Sequence, residues 1–356
     1  MIKTDCRYYN GHIPCVFHKQ KGKICENCEH YSPLKGRILI IKLGASGDVI
    51  RTTPLLRKLK KEYPNHEVSW LTYFPDILPK SWVDNTLEFN IQSVLWLNEQ
   101  EFDWIINLDK DKEAIALTKR LNAPKKSGFT MNSMGKCIPI SNDAEKNKWL
   151  TGIRDDLSWA NTKNYMEEIF EICGYKFNKE RYMLEVDKTK GWGSIDKTRE
   201  VVGLNTGCGD RWPSRLWSKK NWIKLAKLLR EKGYEVILLG GPLEDKKNRE
   251  ISKKAGVRYP GFFPLKAFFS LVNECNLIVT QVSMSLHVAI ALDKKVILMN
   301  NIFHKNEFYL YENGIMIEPN LECLGCYKSR EDENCPVSSC MDLITVDMIY
   351  NCIQSL

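Results

Sequence analysis

A short turn between a strand and a helix carries the first residues that could do chemistry. The apolar run Arg37–Leu43 has the composition of a strand buried on both faces, and helical spacing begins near Val49. The turn between them contains Gly44, Gly47 and Asp48. Such a turn presents backbone N–H groups and a carboxylate at a strand end, where an anion can bind. The same residues also suit a plain turn in which Asp48 caps the helix, and both interpretations stay open.

A second loop combines arginine with tryptophan. It runs from Thr206 to Ser218 after a predicted strand, and it contains Arg211, Arg215 and two tryptophans. Guanidinium groups match phosphate oxygens, and a tryptophan ring offers a rigid wall to a base or sugar. The loop therefore predicts a phosphate-containing ligand. The alternative is a loop whose tryptophans pack on the domain surface.

A third junction leads from the predicted strand Leu277–Thr280 into a helix. Ser283 is a suitable N-cap, and His287 follows about one turn later. The N-terminus of a helix favours negative charge, so this end could face an anionic ligand. The alternative for His287 is a buried histidine with its hydrogen bonds satisfied.

Thirteen cysteines are many for a chain of 356 residues without an export signal. Eight of them form two terminal groups, and each group contains a Cys-x2-Cys pair, a spacing typical of metal sites. Four thiolates can close a tetrahedral zinc site, but iron and iron–sulfur clusters accept the same ligands. Disulfides or free thiols are the alternative. The predicted metal ligands are Cys6, Cys15, Cys25 and Cys28 in one group, and Cys323, Cys326, Cys335 and Cys340 in the other.

Strands and helices must bring these groups together. Short apolar strands alternate with amphipathic helices from residue 37 to about 135, and the alternation restarts at Val201. This pattern predicts two Rossmann-like α/β halves, in agreement with the length of 356 residues. Ligands of such sheets bind at the carboxyl ends of the strands.

The composition excludes several classes of protein. The hydrophobic fraction of 43% and charged fraction of 27% are those of a globular protein, not of a disordered chain or a coiled coil. The formal charge of +8 is compatible with phosphorylated ligands, anionic lipid or nucleic acid. No apolar run approaches the ~18 residues of a membrane span, and the N-terminus has no apolar signal region. We therefore expect a cytoplasmic protein.

Four motifs together resemble one enzyme family. In chain order they are RILIIKLGASGDVIRTTPLLRKLK, GLNTGCGDRWPSRLW, VILLGGPLEDKKN and SLHVAIALDKKV. They are similar to the motifs of glycosyltransferase family nine, the ADP-heptose:lipopolysaccharide heptosyltransferases, over about residues 37–345. The resemblance implies a GT-B fold, in which two Rossmann-like domains face each other across a cleft. We expect a Cys-rich metal-binding arm at 1–36, an acceptor domain at 37–190, and a nucleotide-sugar domain at 191–356 that includes the four-cysteine segment 323–340.

The resemblance also implies roles for individual residues. Asp48 matches the general base toward the acceptor hydroxyl, and inversion by single displacement needs one such base. The positive charge that offsets a leaving diphosphate, without a divalent metal, would come from Arg211, Arg215 and the helix N-terminus at Ser283. The residues expected to contact the nucleotide-sugar are Gly44, Gly47, Thr206, Arg211, Arg215, Glu244, Ser283 and His287.

Two positions depart from the family pattern. Val282 stands where heptosyltransferases usually carry aspartate, and Asp210 stands where many carry lysine. The C-terminal cysteine segment resembles that of autotransporter heptosyltransferases, which hold iron there. The resemblance leaves zinc, iron and an iron–sulfur centre open for both cysteine groups.

The expected function is inverting transfer of a heptose from an ADP-heptose-like nucleotide diphosphate donor. The acceptor would be a cell-surface glycan, a lipid-linked saccharide or a protein. We expect a cytoplasmic location with peripheral contact at the inner membrane, and no nucleic-acid partner. One alternative is a nucleic-acid-binding or scaffold protein that uses its cysteine groups as metal knuckles. The other, prompted by Val282, is a relative that binds a nucleotide-sugar without turning it over.

Overall fold

The computed structural model describes residues 1–187, 191–193, 195–326 and 340–356. The chain divides into two compact units. The first unit comprises Met1–Gly44, Thr53–Trp149 and Ile172–Tyr175, and the second comprises Ala45–Thr52, Leu150–Glu171 and Lys176–Leu356.

Each unit is built on one sheet with a parallel core. In the first unit the strand order is β3-β2-β1-β4-β5-β6, and β6 alone among its described strands runs antiparallel to its neighbour. In the second unit the order is β11-β10-β9-β7-β8, with parallel pairing throughout. The strands are β1 Gly36–Ile41, β2 His66–Thr72, β3 Asn85–Glu88, β4 Trp104–Asn107, β5 Lys125–Met131, β6 Cys137–Pro139, β7 Val201–Asn205, β8 Glu235–Leu239, β9 Leu277–Gln281, β10 Lys295–Met299 and β11 Gly314–Ile317.

Helices connect the strands, as the alternating pattern predicts. They are α1 Val16–Lys21, α2 Ser46–Thr52, α3 Leu55–Glu62, α4 Ile91–Asn98, α5 Lys112–Arg120, α6 Asp143–Leu150, α7 Asp155–Ala160, α8 Tyr165–Ile172, α9 Lys219–Glu231, α10 Asp245–Ala255, α11 Leu265–Asn273, α12 Met284–Ala291 and α13 Val346–Ser355. Within the described residues no helix is long and apolar enough to cross a membrane.

The core of the first unit fixes the start of the predicted glycine turn. Leu39 and Ile41 of β1 are completely buried and pack with Ile105 of β4. Beyond β1, the Asp109 carboxylate accepts the N–H groups of Leu43 and Gly44 at 2.9 and 3.2 Å. This carboxylate holds the chain in place where it leaves the sheet.

A proline interrupts the helix that follows the turn. Helix α2 ends at Thr52, and Pro54 stands before the first residue of α3. A proline inside a helix removes a hydrogen bond and clashes with the preceding turn, so two short helices replace one long one.

Two tryptophans organise the core of the second unit. Trp217 and Trp222 are buried with an edge-to-face separation of 5.0 Å between ring centroids. The indole N–H of Trp217 donates to the carbonyl of Ile344 at 2.9 Å. The loop that enters α9 is thereby tied to the chain that precedes α13.

The boundaries of the two units fall at different residues from the predicted domain boundaries. Helix α2, predicted within the N-terminal domain, belongs to the second unit and packs against α12. This packing is close because Gly47 lacks a side chain: a Cβ there would lie 2.6 Å from Cδ2 of His287. The predicted boundary at 190 falls on residues 188–190, which lie outside the described residues.

Candidate functional site

One cavity of the second unit collects most of the predicted site residues. Its volume is about 600 Å³, within the ~300–1,000 Å³ typical of small-molecule sites. Its walls come from α2, the loops after β7 and β8, the start of α12 and the region 303–308. The predicted residues that line it are Gly47, Asp48, Arg211, Arg215, Glu244, Ser283 and His287.

Gly44 and Thr206 do not line this cavity. Gly44 belongs to the first unit, where its N–H donates to Asp109. The hydroxyl of Thr206 is fully buried and donates to Asn248 at 2.6 Å. The expected contact of Thr206 with a nucleotide-sugar is therefore corrected: its side chain braces α10.

Asp48 belongs to an ion-pair network around the buried Arg51. Arg51, one turn later on α2, donates from Nε to the Asp48 carboxylate at 2.9 Å. Nη2 of the same guanidinium donates to Glu307 at 2.9 Å and lies 2.9 Å from Asp48. A single cation thus holds two carboxylates at the cavity wall.

The Arg51 guanidinium is itself tightly held. Its carbon lies 3.6 Å from the centroid of the Tyr165 ring, a favourable cation–π geometry. Burial opposes its charge, but Asp48 and Glu307 raise the pKa of Arg51 above its ordinary value. Its Nη1 is buried and makes no hydrogen bond to any described residue.

His287 is a buried neutral imidazole. It is 5% exposed, and burial, assisted by the positive charge of Arg51, lowers its pKa from 6.5 to about 3. Tyr182 lies beside it at 6.0 Å between ring centroids. Nδ1 of His287 is buried without a hydrogen-bond partner in the described part of the chain. The histidine is therefore buried, as the alternative predicted, but one of its nitrogens is left unsatisfied.

Arg215 places a buried positive charge at the cavity. The side chain is 7% exposed, and its Nε and Nη2 donate to the carbonyls of Trp212 and Cys208 at 3.2 and 2.6 Å. Nη1 donates to the carbonyl of Val282. Burial lowers the pKa of Arg215, but an arginine remains charged. Among the described residues no carboxylate pairs with it, so its charge is available to an anionic ligand.

The two tryptophans of the loop have different positions. Trp212 lines the cavity, and the exposed Arg211 guanidinium lies 5.7 Å from its ring centroid. Trp217 instead packs in the core. The surface-loop alternative is thus wrong for Trp217, which is buried.

Glu244 fills the space left by glycines at two strand ends. Its carboxylate accepts the Gly241 N–H at 2.9 Å. A Cβ on Gly207 would lie 2.2 Å from Glu244 atoms, and one on Gly240 would lie 2.7 Å from its Cβ. Small residues here let an acidic side chain approach the loops after β7 and β8.

Ser283 precedes α12 without making the expected capping bond. The Ser283 side chain caps no N–H of the helix. Its hydroxyl instead lies 3.1 Å from both Asn205 Nδ2 and Thr280 Oγ1. Asn205 also accepts from Ser285 at 2.9 Å, so this polar network joins the end of β7 to the start of α12.

The described cysteines are not assembled around a single point, so the two predicted metal sites stay predictions. The four N-terminal cysteines line one cavity of about 500 Å³. Within the described residues, no three Cys, His, Asp or Glu side chains are close enough to hold one ion. In the C-terminal group, Asn301 donates to Cys340 Sγ at 3.1 Å and accepts from Gly325 N–H. Cys335 lies outside the described residues.

Arg51 and Glu307 were missed by the sequence argument. Arg51 could have been noticed, because it stands three residues after Asp48 on the predicted helix. Glu307 gave no signal, since it is 256 residues from Arg51 along the chain.

Comparison with known protein families identifies the family of this chain. The family model described as glycosyltransferase family 9 (heptosyltransferase) matches residues 95–327, which is more than half of the chain. The chain belongs to glycosyltransferase family 9. It is therefore a glycosyltransferase enzyme, as the four motifs predicted.

Relatives of this family 9 chain agree with that result. It is 23% identical over 284 residues to lipopolysaccharide heptosyltransferase 2 of Salmonella typhimurium, covering 73% of this chain and 81% of the relative. A family 9 glycosyltransferase structure from Veillonella parvula is 17% identical with a TM-score of 0.67, covering 90% of this chain and 97% of that one. Escherichia coli heptosyltransferase WaaC with ADP-2-deoxy-2-fluoro heptose is 16% identical with a TM-score of 0.60, over 90% and 99% of the two chains. These similarities confirm the GT-B-like α/β fold.

Proposed function

We propose that this enzyme transfers a heptose from ADP-heptose to a glycan acceptor of the lipopolysaccharide type, with inversion at the anomeric carbon. The observation that carries the proposal is a carboxylate, Asp48, on the wall of the same cavity as the buried cation Arg215. The curated relative is a lipopolysaccharide heptosyltransferase, and WaaC holds an ADP-heptose analogue, which supports this choice of donor and acceptor.

The proposed reaction is a single displacement. The acceptor hydroxyl oxygen attacks the anomeric carbon while its proton passes to Asp48, and the bond to the diphosphate oxygen breaks on the opposite side. The leaving diphosphate carries the electron pair away. Its charge is stabilised by Arg211 and Arg215, together with the N-terminus of α12 after Ser283.

The remaining cavity residues suit a nucleotide. Glu244 lies at the loops after β7 and β8, where its carboxylate could accept hydrogen bonds from ribose hydroxyls. Four phenylalanines add apolar wall for the base or sugar: Phe263, Phe268, Phe303 and Phe308. The neutral His287 offers an unsatisfied nitrogen to the ligand. Val282, in place of the family's aspartate, contributes its carbonyl to Arg215.

Donor binding is tested with a panel of nucleotide-sugars. We expect ADP-heptose to raise Tm more than GDP-, UDP- or CDP-sugars do, and ADP to be released when heptose-free lipopolysaccharide is added. Arg211→Met should weaken donor binding at least 10-fold, since a charge-assisted hydrogen bond contributes ~1.5–3 kcal/mol. Arg249→Met is the matched control, because Arg249 is an exposed arginine that pairs with Asp245 on α10.

The outcomes separate the alternatives. Donor binding without ADP release from any acceptor preparation would favour a relative that binds a nucleotide-sugar without turnover. Failure of every nucleotide-sugar to bind would contradict the proposal. Inversion of the anomeric configuration from donor to product, read by NMR, is expected, and retained configuration would refute single displacement. A metal in the C-terminal cysteine group stays a prediction.

A further inference from the structure

We propose that the N-terminal arm, residues 1–35, binds a thiolate-ligated transition metal, either zinc or iron, including an iron–sulfur cluster. The site is the cavity of about 500 Å³ that is lined by Cys6, Cys15, Cys25 and Cys28. It lies within the first unit and shares no lining residue with the cavity that contains Asp48.

The arm lacks a core of its own. Of residues 1–35, all described, none is buried, and regular structure is limited to α1 and a short 3₁₀ turn at Cys25–Asn27. Small modules without an apolar core depend on disulfides or a structural metal. The four cysteines are free thiols, so disulfides do not provide the support here. A metal would supply the missing cross-link.

The arm nevertheless has a defined attachment to the rest of the first unit. Arg7 donates to the carbonyls of Pro64 and His66 at 3.0 and 3.1 Å. Cys6 forms a β-bridge with Pro33, and Tyr31 donates to Asp5 at 2.5 Å. These contacts bring the beginning and the end of the arm together around the cavity.

Two histidines that line the same cavity are hydrogen-bonded to backbone carbonyls through Nδ1. Nδ1 of His12 lies 2.8 Å from the carbonyl of Asn10, and Nδ1 of His18 lies 3.0 Å from the carbonyl of Lys23. Because a carbonyl only accepts, each Nδ1 carries a hydrogen, and the neutral form of each ring then has its lone pair on Nε2. Metal-binding histidines are usually fixed in this way. Nε2 of His30 is buried without a hydrogen bond to any described residue.

The cysteines surround the cavity and do not meet at one point. As stated above, no three described ligand side chains are within reach of a single ion. Binding must therefore draw the thiols inward, each ligating thiol releasing its proton to solvent, and so couple metal binding to ordering of the arm. Soft thiolate ligands select zinc or iron over magnesium and calcium.

Metal content of the full-length protein tests the proposal. The variant Cys25→Ser/Cys28→Ser should lose one equivalent of zinc, or the iron of one centre, relative to the wild type by elemental analysis. The control Cys137→Ser/Cys352→Ser changes two partly buried cysteines outside both groups and should keep the wild-type content. Zinc in a colourless protein and iron in a brown one would both support the site. Unchanged metal content in Cys25→Ser/Cys28→Ser would overturn it.

A second measurement covers the case in which that variant does not fold. Cys323→Ser/Cys326→Ser removes two predicted ligands of the C-terminal group and leaves the cysteines of the arm unchanged. X-ray absorption of this variant should show sulfur scatterers at about 2.3 Å from zinc or iron. No bound metal, or a metal with oxygen and nitrogen ligands alone, would contradict a thiolate site in the arm.

Discussion

Removal of the Arg51 charge should change the proton affinity of Asp48. Arg51 contacts the Asp48 carboxylate at 2.9 Å through two nitrogens and shares one of them with Glu307. In Arg51→Met the cation disappears while an unbranched side chain is kept at that position. Asp48 then lacks its cationic partner and lies near a second carboxylate, that of Glu307. The loss of the cation and the repulsion between the carboxylates both favour protonation of Asp48.

The size of the change follows from burial. An opposite charge within hydrogen-bond distance lowers a carboxyl pKa by ~1–3 units. The Asp48 side chain is 31% exposed, so solvent screens part of this interaction and the lower half of that range applies. If Asp48 is the base, the acid limb of kcat/KM should move upward by ~1–2 pH units in Arg51→Met. In Glu307→Gln, Arg51 forms its ion pair with Asp48 alone, which favours the charged form of Asp48. The acid limb of kcat/KM should then move downward by less than ~1 pH unit.

The assay is ADP release as a function of pH with saturating acceptor. Arg249→Met, which removes an exposed arginine paired with Asp245, is the control and should leave the profile unchanged. Circular dichroism and Tm establish that the variants are folded. An unmoved acid limb in Arg51→Met, or shifts of the same sign in both network variants, would refute the assignment of Arg51 as a positioning residue for the base.

Three further predictions concern close packing and a buried imidazole. Gly47→Ala should destabilise the protein by ~1–3 kcal/mol and lower turnover, because the new Cβ would lie 2.6 Å from His287 Cδ2. Urea unfolding measures the loss of stability. Unchanged stability would mean that α2 does not pack on α12 as described. Gly128→Ala should lower the free energy of unfolding by more, ~3–5 kcal/mol, because φ at Gly128 is +101° and the new Cβ would lie 1.8 Å from the Asn107 carbonyl oxygen. The control is Gly135→Ala, at a turn with open space around it. A drop in Tm no larger than that of the control would contradict the prediction. The pKa of His287 is about 3 when folded and 6.5 when unfolded, so the unfolded state binds an extra proton between these values and stability should fall as pH decreases from 6.5 towards 3. This fall should be smaller in His287→Gln, and equal pH dependence would show that His287 is not buried neutral.

Local sequence patterns predicted much of the fold. The run at 38–41 is completely buried, as expected for a strand inside a parallel sheet whose two faces are covered by helices. Pro54 accounts for the break between α2 and α3, since a proline is not accommodated in the interior of one continuous helix. Residues 161–164 separate helices α7 and α8. Asn161 accepts the N–H of Lys163 at 3.2 Å, and side-chain bonds of this kind compete with helix hydrogen bonds.

The candidate site was less predictable, because its chemistry depends on contacts distant in sequence. The motifs predicted Asp48 and His287 as site residues. The second carboxylate that binds Arg51 belongs to Glu307, which is 256 residues from Arg51 along the chain. Thr206 illustrates the opposite error. Its position after β7 suggested a ligand contact, whereas the buried hydroxyl of Thr206 donates a hydrogen bond to Asn248 on α10.

Turnover of Asp48→Asn tests the proposed chemistry most directly. The substitution keeps the size of the side chain at the cavity wall but removes its ability to take a proton. We predict a fall of ~10²–10⁴-fold in kcat with ADP-heptose, with the donor Kd measured by calorimetry changed less than ~5-fold. Asp196→Asn, at a partly exposed aspartate that does not line the cavity, should retain wild-type turnover. Full activity in Asp48→Asn would contradict the assignment of Asp48 as the catalytic base.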